Sequence, residues 1–176
     1  MFERLLRRLL GRLQSEKMAQ HKRRVPLGDL LTDRWQNARA YGFGEGVSCY
    51  DSVLIIGDVK VGKNTWIGPN VVLDGSGGLE IGENCTIGAG AQIYSHDSVK
   101  WALSGGDAAY ERAPTHIGNH CFIGPNAVIA KGLVVGDGAA IGALTFVNRD
   151  VPAGGKIVAS SPRLIGVPGT EGRAVA

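Results

Sequence analysis

The sequence predicts an all-β fold: a parallel β-helix of three-sided coils, preceded by an amphipathic helix and interrupted once by a long loop. Three observations predict it. An aliphatic residue returns at six-residue spacing from Val61 onward. Glycine is abundant, 27 of 176 residues, while aromatics make up only 6%. The spacing is neither the 3.6 of a helix nor the simple alternation of a free-standing strand. Glycine at that level without a G-X-Y period comes from turns or from another repeat.

The units read VGKNTW, IGPNVV, LDGSGGLE, IGENCT, IGAGAQ and IYSHDS, then, after a gap, IGNHCF, IGPNAV, IAKGLV, VGDGAA, IGALTF and VNRDVP. Eleven of these twelve keep a length of six, and all begin with Ile, Leu or Val. A short strand plus a tight turn fits that length, with three units closing one coil and the leading aliphatic pointing inward. The fifth position meets the other inward residues near the axis and is slim in most units: Thr65, Val71, Cys85, Ala91, Cys121, Ala127, Ala139 and Thr145. Leu133 is the bulky exception. Asn and Gly near the corners tolerate positive φ, and the coils stack at the strand spacing of about 4.8 Å. Upstream, VSCYDSV (47–53) reads as an irregular entry coil.

The first element in the chain is different in kind. In FERLLRRLLGRL (2–13), Phe2, Leu5, Leu6, Leu9, Leu10 and Leu13 share one helical face, with arginines on or beside the other. Such a helix either packs on its own assembly or rests on an anionic membrane surface. Residues 1–24 hold eight Lys or Arg against two Glu, so the tail carries +6 within a chain of net +3, and the rest carries −3. The organisation expected is a basic helix and linker over 1–46, the β-helix over 47–165 with a loop over 97–115, and a tail over 166–176. Without a run of eighteen apolar residues, no transmembrane helix is expected. The N-terminus has no signal-peptide pattern. Three cysteines without a CxxC spacing suit a reducing cytoplasm, and nothing in the pattern points to nucleic acid.

Two motifs are weighed and set aside. GDVKVGK (57–63) matches most of a phosphate-binding loop, but Asn64 stands where Ser or Thr is required and the repeat runs on. His96, His116 and His120 suggest a zinc set by ligand type but not by spacing. His116 and His120 read as outward or corner residues, and no metal is expected. His96 is unlike them, because it stands where the repeat stops and the segment DSVKWALSGGDAAYERAPT (97–115) leaves the coil. Long loops within a compact repeat are commonly functional.

The repeat resembles the hexapeptide-repeat, left-handed parallel β-helix acyltransferases over residues 53–165, and the sugar and polysaccharide O-acetyltransferases in particular. The left hand is implied by that resemblance, since crossover statistics favour the right hand. The family's order of apolar sextet, histidine, protruding loop and IGxxxxIG sextet is matched at His96, which implies a general base for direct transfer from acetyl-CoA. Imidazole titrates near neutrality and can take a hydroxyl proton during attack on the thioester. Asp97 and Asp74 are the carboxylates expected to orient it. The resemblance places coenzyme A against Pro125, Ala143, Asn148 and Arg149, with Arg163 a further position. It also implies a homotrimer and a sugar, nucleotide-sugar or lipid-linked glycan acceptor in bacterial surface polysaccharide synthesis. Trp101 and Tyr110 are expected to stack on the sugar or to pack the loop down, with Lys100, Asp107 and Glu111 as polar partners. N-acetylation of a nucleotide-linked amino sugar is the alternative. A zinc-dependent protein like the gamma-type carbonic anhydrases is a more distant one.

Overall fold

The computed structural model describes residues 1–159. Three helices, α1 (Phe2–His21), α2 (Leu27–Leu31) and α3 (Arg34–Ala40), precede a left-handed parallel β-solenoid of about six turns. The Asp33 carboxylate caps α3 by accepting from the N–H groups of Trp35 and Gln36, a standard way to satisfy a helix's first donors. The Asn37 side chain ties α3 to the coil by donating to the Cys49 carbonyl at 3.1 Å.

The solenoid has three faces. The first stacks Ser48–Cys49, Trp66–Ile67, Thr86–Ile87, Phe122–Ile123, Ala140–Ile141 and Lys156–Ile157, all in parallel register. The second stacks the early parts of Leu54–Val61 and Val72–Ile81 with Gln92–Ile93, Val128–Ile129 and Phe146–Val147. The third stacks the later parts of the two long strands with Thr115–Ile117 and Val134–Val135. A final bridge joins Val135 to Val151.

Sequence position dictates burial closely. All twelve leading aliphatics, from Val61 to Val147, are buried, and so is every fifth-position residue named above except Leu133, which is partly covered. Cys85 and Cys121 lie on consecutive coils as wall material, their thiols directed at the Gly118 and Gly136 carbonyl oxygens. Fourth positions form the corners. Asn64, Asn70, Asn84, His120, Asn126 and Leu144 all hold φ between 54° and 59°, and Gly90, Gly132 and Gly138 occupy equivalent turns.

The coil starts earlier than the aliphatic rule predicts. Ser48 pairs with Trp66 and Cys49 with Ile67, so the entry coil is in regular register and not irregular. Cys49, Ile55 and Val61 do keep the six-residue frame. The signal was hidden because a cysteine stands in the leading position and glycine is missing from the second.

Among the described residues Leu144 is the one aliphatic side chain at a left-handed corner, at φ 59° and 73% exposed. A side chain that cannot bond its own backbone costs roughly 1–2 kcal/mol there, a cost Asn largely escapes, and so exposed a side chain returns little packing within the subunit. Leu144→Asn is therefore expected to stabilise the isolated subunit by about 1 kcal/mol, read as a raised urea midpoint with unchanged slope. A lowered midpoint would show that Leu144 packs more than its exposure indicates.

Candidate active site

The loop leaves the solenoid at the corner between the second and third faces. Ile93 ends the second face, Thr115 resumes the third, and the intervening residues fold back on themselves. His96–Asp97 pairs antiparallel with Glu111–Arg112 at the base of the loop, and α4 (Val99–Leu103) lies between them.

One coil earlier, the same corner carries the stretched unit LDGSGGLE (73–80). The preceding coil turns there with fewer residues, so the ladder slips between Gly57–Gly75 and Val59–Leu79. The extra residues, around Ser76 and Gly77, form the floor on which the loop base rests. The Gly77 N–H donates to the Ser95 hydroxyl at 2.8 Å, and the Ala113 N–H donates to the Ser95 carbonyl at 2.9 Å. A Cβ on Gly77 would come within 2.4 Å of that carbonyl oxygen and 2.8 Å of the Ala113 nitrogen. Both are backbone atoms of the loop base, so the base itself would have to shift. Displacing a reacting group by about 1 Å costs on the order of 10²-fold in rate, so Gly77→Ala is expected to lower turnover by about that factor. The solenoid's thermal transition should persist, because the strands on either side are untouched. Wild-type turnover in this variant would show that the floor does not position the loop.

This stacking brings Asp74 against His96. Asp74 is buried, and its Oδ2 accepts from His96 Nδ1 at 2.5 Å and from the N–H groups of Ser95 and His96 at 3.0 and 3.1 Å. Its Oδ1 accepts from the Ser76 N–H at 3.0 Å and the Ser76 hydroxyl at 2.6 Å. Burial works against the carboxylate's charge, but the hydrogen bonds from Ser76, Ser95 and His96 outweigh it and hold the carboxyl down at about 2. An ionised carboxylate can only accept, so Nδ1 carries the proton it shares with Asp74, and in the neutral ring Nε2 is left with the lone pair. The imidazole is part-buried, with 29% of its side-chain surface exposed.

Asp97, the other carboxylate expected to orient the ring, is committed elsewhere. It accepts from the Val99 N–H at 3.0 Å and pairs with Lys131 at 2.8 Å. The hydrogen bond from Lys131 holds the Asp97 carboxyl below its ordinary range. Lys131 also reaches Glu111 at 3.3 Å, and Glu111 pairs with Lys100 at 2.5 Å. Lys131 thus bridges the two strands of the loop base, and Lys100 ties α4 to the same network while its side chain stays largely exposed. Trp101 and Tyr110 meet edge to face at 5.4 Å, and the Tyr110 ring lies 6.3 Å from the imidazole. Both rings keep exposed surface, Tyr110 nearer to His96.

A groove of about 470 Å³ opens on the second face alongside the loop, walled in part by Tyr94, His96, Val128, Lys131 and Phe146. Pro125 and Ala143 stand exposed at the corner before this face, in stacked turns joined by the Leu144 N–H donating to the Pro125 carbonyl. Asn148 and Arg149 are exposed at the corner after it, two coils beyond Tyr94 and Ser95 in register. The four expected coenzyme A positions therefore flank the late coils of the face that carries the groove, and Arg163 lies outside the described residues. His116 faces outward, 3.4 Å from Glu80, and His120 sits at a corner. Neither joins His96. Among the described residues no cluster of three His, Cys, Asp or Glu is placed to hold a metal ion. Burial, then nearby Asp29 and Asp51, push the Cys49 thiol up to about 12, far from a thiolate nucleophile.

Sequence reasoning missed Ser76, Ser95, Lys131 and Tyr94. The stretched unit was the available signal for Ser76, because extra residues at one corner of a strict repeat mark a built platform, and Ser95 stands where the repeat breaks.

The profile of the bacterial transferase hexapeptide, as six repeats, matches residues 58–95 and 114–149, stopping and restarting around the loop. The chain belongs to the hexapeptide-repeat transferases. Curated relatives of this hexapeptide-repeat transferase include the bifunctional protein GlmU of Leifsonia xyli subsp. xyli, 33% identical over 60% of the chain and 21% of the relative. GlmU of Limosilactobacillus reuteri is 36% identical over 60% of the chain and 22% of the relative. The chain thus spans about a fifth of the length of these proteins. Among solved structures it is similar to a hexapeptide-repeat-containing acetyltransferase of Vibrio cholerae O1 biovar eltor complexed with acetyl-CoA. There the TM-score is 0.65 at 24% identity, over 93% of this chain and 87% of the other. It is also similar to AntD, an N-acyltransferase from Bacillus cereus, as a mutant in complex with dTDP and coenzyme A. There the TM-score is 0.60 at 22% identity, over 70% and 71% of the two chains.

Proposed function

We propose that this hexapeptide-repeat transferase moves an acetyl group from acetyl-CoA to a sugar hydroxyl, with His96 as general base, in bacterial surface polysaccharide synthesis. The observation that carries the reading is the buried, five-fold hydrogen-bonded Asp74 carboxylate holding His96 Nδ1. That pairing leaves Nε2 as the basic nitrogen beside the groove. In the reaction, Nε2 takes the hydroxyl proton as the oxygen attacks the thioester carbonyl. The carbon–sulfur bond then breaks, and the proton is returned to the departing thiolate of coenzyme A. Asp74 stabilises the imidazolium formed in between.

The groove's apolar walls at Val128 and Phe146 suit a pantetheine arm, and Arg149 suits its phosphates. Trp101 and Tyr110 supply faces for a sugar ring. A homotrimer fits the outward apolar residues: Leu54, Phe122 and Phe146 stand exposed on the first and second faces, and Val134 on the third beside the Lys60–Glu80 and His116–Glu80 pairs. Sedimentation equilibrium returning the monomer mass would refute the trimer.

A second reading, N-acylation of a nucleotide-linked amino sugar, is favoured by the likeness to AntD, an N-acyltransferase solved with dTDP. The hydroxyl is preferred on chemical grounds. A hydroxyl needs its proton removed as it attacks, which is the step an oriented imidazole serves, whereas a neutral amine is nucleophilic beforehand. Thiol release from acetyl-CoA, measured with a hydroxyl sugar and a nucleotide-linked amino sugar side by side, separates the two. Turnover with the amino sugar alone would overturn the hydroxyl assignment, and thiol release with neither would count against sugar transfer.

A further inference from the structure

The chain's most basic segment takes no part in the site. Helix α1 has no buried residue, and Phe2, Leu5, Leu6 and Leu9 remain 77%, 67%, 41% and 39% exposed. At 3.6 residues per turn these four share one side with Leu10 and Leu13. Leu10 and Leu13 are only half covered, and α2 is the element that packs on α1. Leu13 shares a shallow cleft with Leu30 and Leu31 of α2, and Leu31 is itself exposed. Across the helix lie Arg4, Arg7, Arg8 and Arg12. Arg7 and Arg12 pair with Glu3 and Glu16 of the same helix, while Arg4 and Arg8 enter no ion pair among the described residues.

We infer that α1 docks the enzyme on an anionic membrane surface, lying in the plane of the headgroups with Phe2, Leu5, Leu6 and Leu9 inserted. Charge complementarity selects this occupant. Residues 1–24 carry +6, so packing α1 against its counterpart in another copy would bring two or more such charges together. A sheet of phosphate headgroups neutralises them instead. Arginine stems beside the leucine stripe reach up to those phosphates while the apolar side stays buried. No helix among the described residues is long and apolar enough to cross a membrane, so the helix lies on the surface. The inference stands independently of the transfer reaction, although a surface-bound enzyme suits a lipid-linked acceptor.

The test is sedimentation of the full chain with phosphatidylcholine vesicles, alone or containing phosphatidylglycerol. About tenfold or more enrichment on the anionic vesicles is expected, falling in high salt. Leu5→Glu/Leu9→Glu should abolish it, and Arg4→Gln/Arg8→Gln should weaken it several-fold. Both variants keep good helix formers at exposed positions and should leave oligomeric mass and thiol release in solution unchanged. Equal binding to both vesicle types, or none, overturns the proposal. Binding that survives the leucine substitutions overturns it too, since it would be adsorption of the basic tail. A change of oligomeric mass in the leucine variant would reassign the helix face to a second copy of the chain.

Discussion

His96→Ala is expected to lower turnover by about 10²–10⁴-fold while leaving acetyl-CoA binding close to wild type. The magnitude follows from what is lost. The thioester is already activated, so the base contributes by removing the acceptor proton as attack proceeds, and general-base contributions fall in this range. The fold should survive. Asp74 keeps four of its five donors, because the N–H groups of Ser95 and His96 and both groups of Ser76 do not depend on the imidazole. The ring is part-exposed at a loop base, not in the row of buried aliphatics. Measuring coenzyme A binding beside steady-state turnover separates a chemical loss from a binding loss. Unchanged turnover would end the general-base reading, and a parallel collapse of binding would make His96 a structural residue of the groove.

The solenoid was legible because its rule is one-dimensional. Each coil contacts its neighbours through the same six positions, so burial at Ile87 or Ile123 is dictated by spacing alone. The rule failed where a substitution preserved the geometry but not the letter, as at Cys49, whose small apolar side chain fills an aliphatic's place. His96 and its loop were legible as an interruption. Its partner was harder to read. Asp97 is adjacent in sequence, but neighbours along an extended strand point to opposite faces. Asp74, 22 residues earlier, is adjacent across the stack. Sequence distance misleads in a solenoid, where proximity is measured in coils. The ion-pair network of Lys131, Asp97, Glu111 and Lys100 was illegible for a related reason. It joins the loop to the next coil, and no local pattern in the chain announces which lysine will stand beneath it.

The buried carboxylate makes the sharper prediction. Asp74→Asn is expected to destabilise the chain by about 1–3 kcal/mol at neutral pH and to cut turnover by roughly 10²-fold or more. Five donors converge on the two carboxylate oxygens, and an amide has one oxygen to offer. If that oxygen faces Ser95 and His96, the new NH₂ confronts the Ser76 N–H. The Ser76 hydroxyl can turn to accept, but the backbone group cannot, and a buried N–H is left without a partner. His96 would then keep its tautomer but lose the charge that stabilises the imidazolium. If the amide is reversed, two backbone N–H groups are stranded and the ring is driven to the wrong tautomer.

The sign of the pH dependence follows from the depressed carboxyl, which lies at about 2 in the folded chain against an ordinary 3.8. Its stabilising contribution, about 2 kcal/mol, is therefore fully present above the ordinary value and is lost as pH falls toward 2. The amide of the Asp74→Asn variant cannot titrate, so the stability gap between wild type and variant, read from urea midpoints, should narrow through that acid window. A gap that stays constant down to the lowest pH at which the chain folds would show that Asp74 is not held ionised. The assignment of the basic lone pair to Nε2 would fall with it.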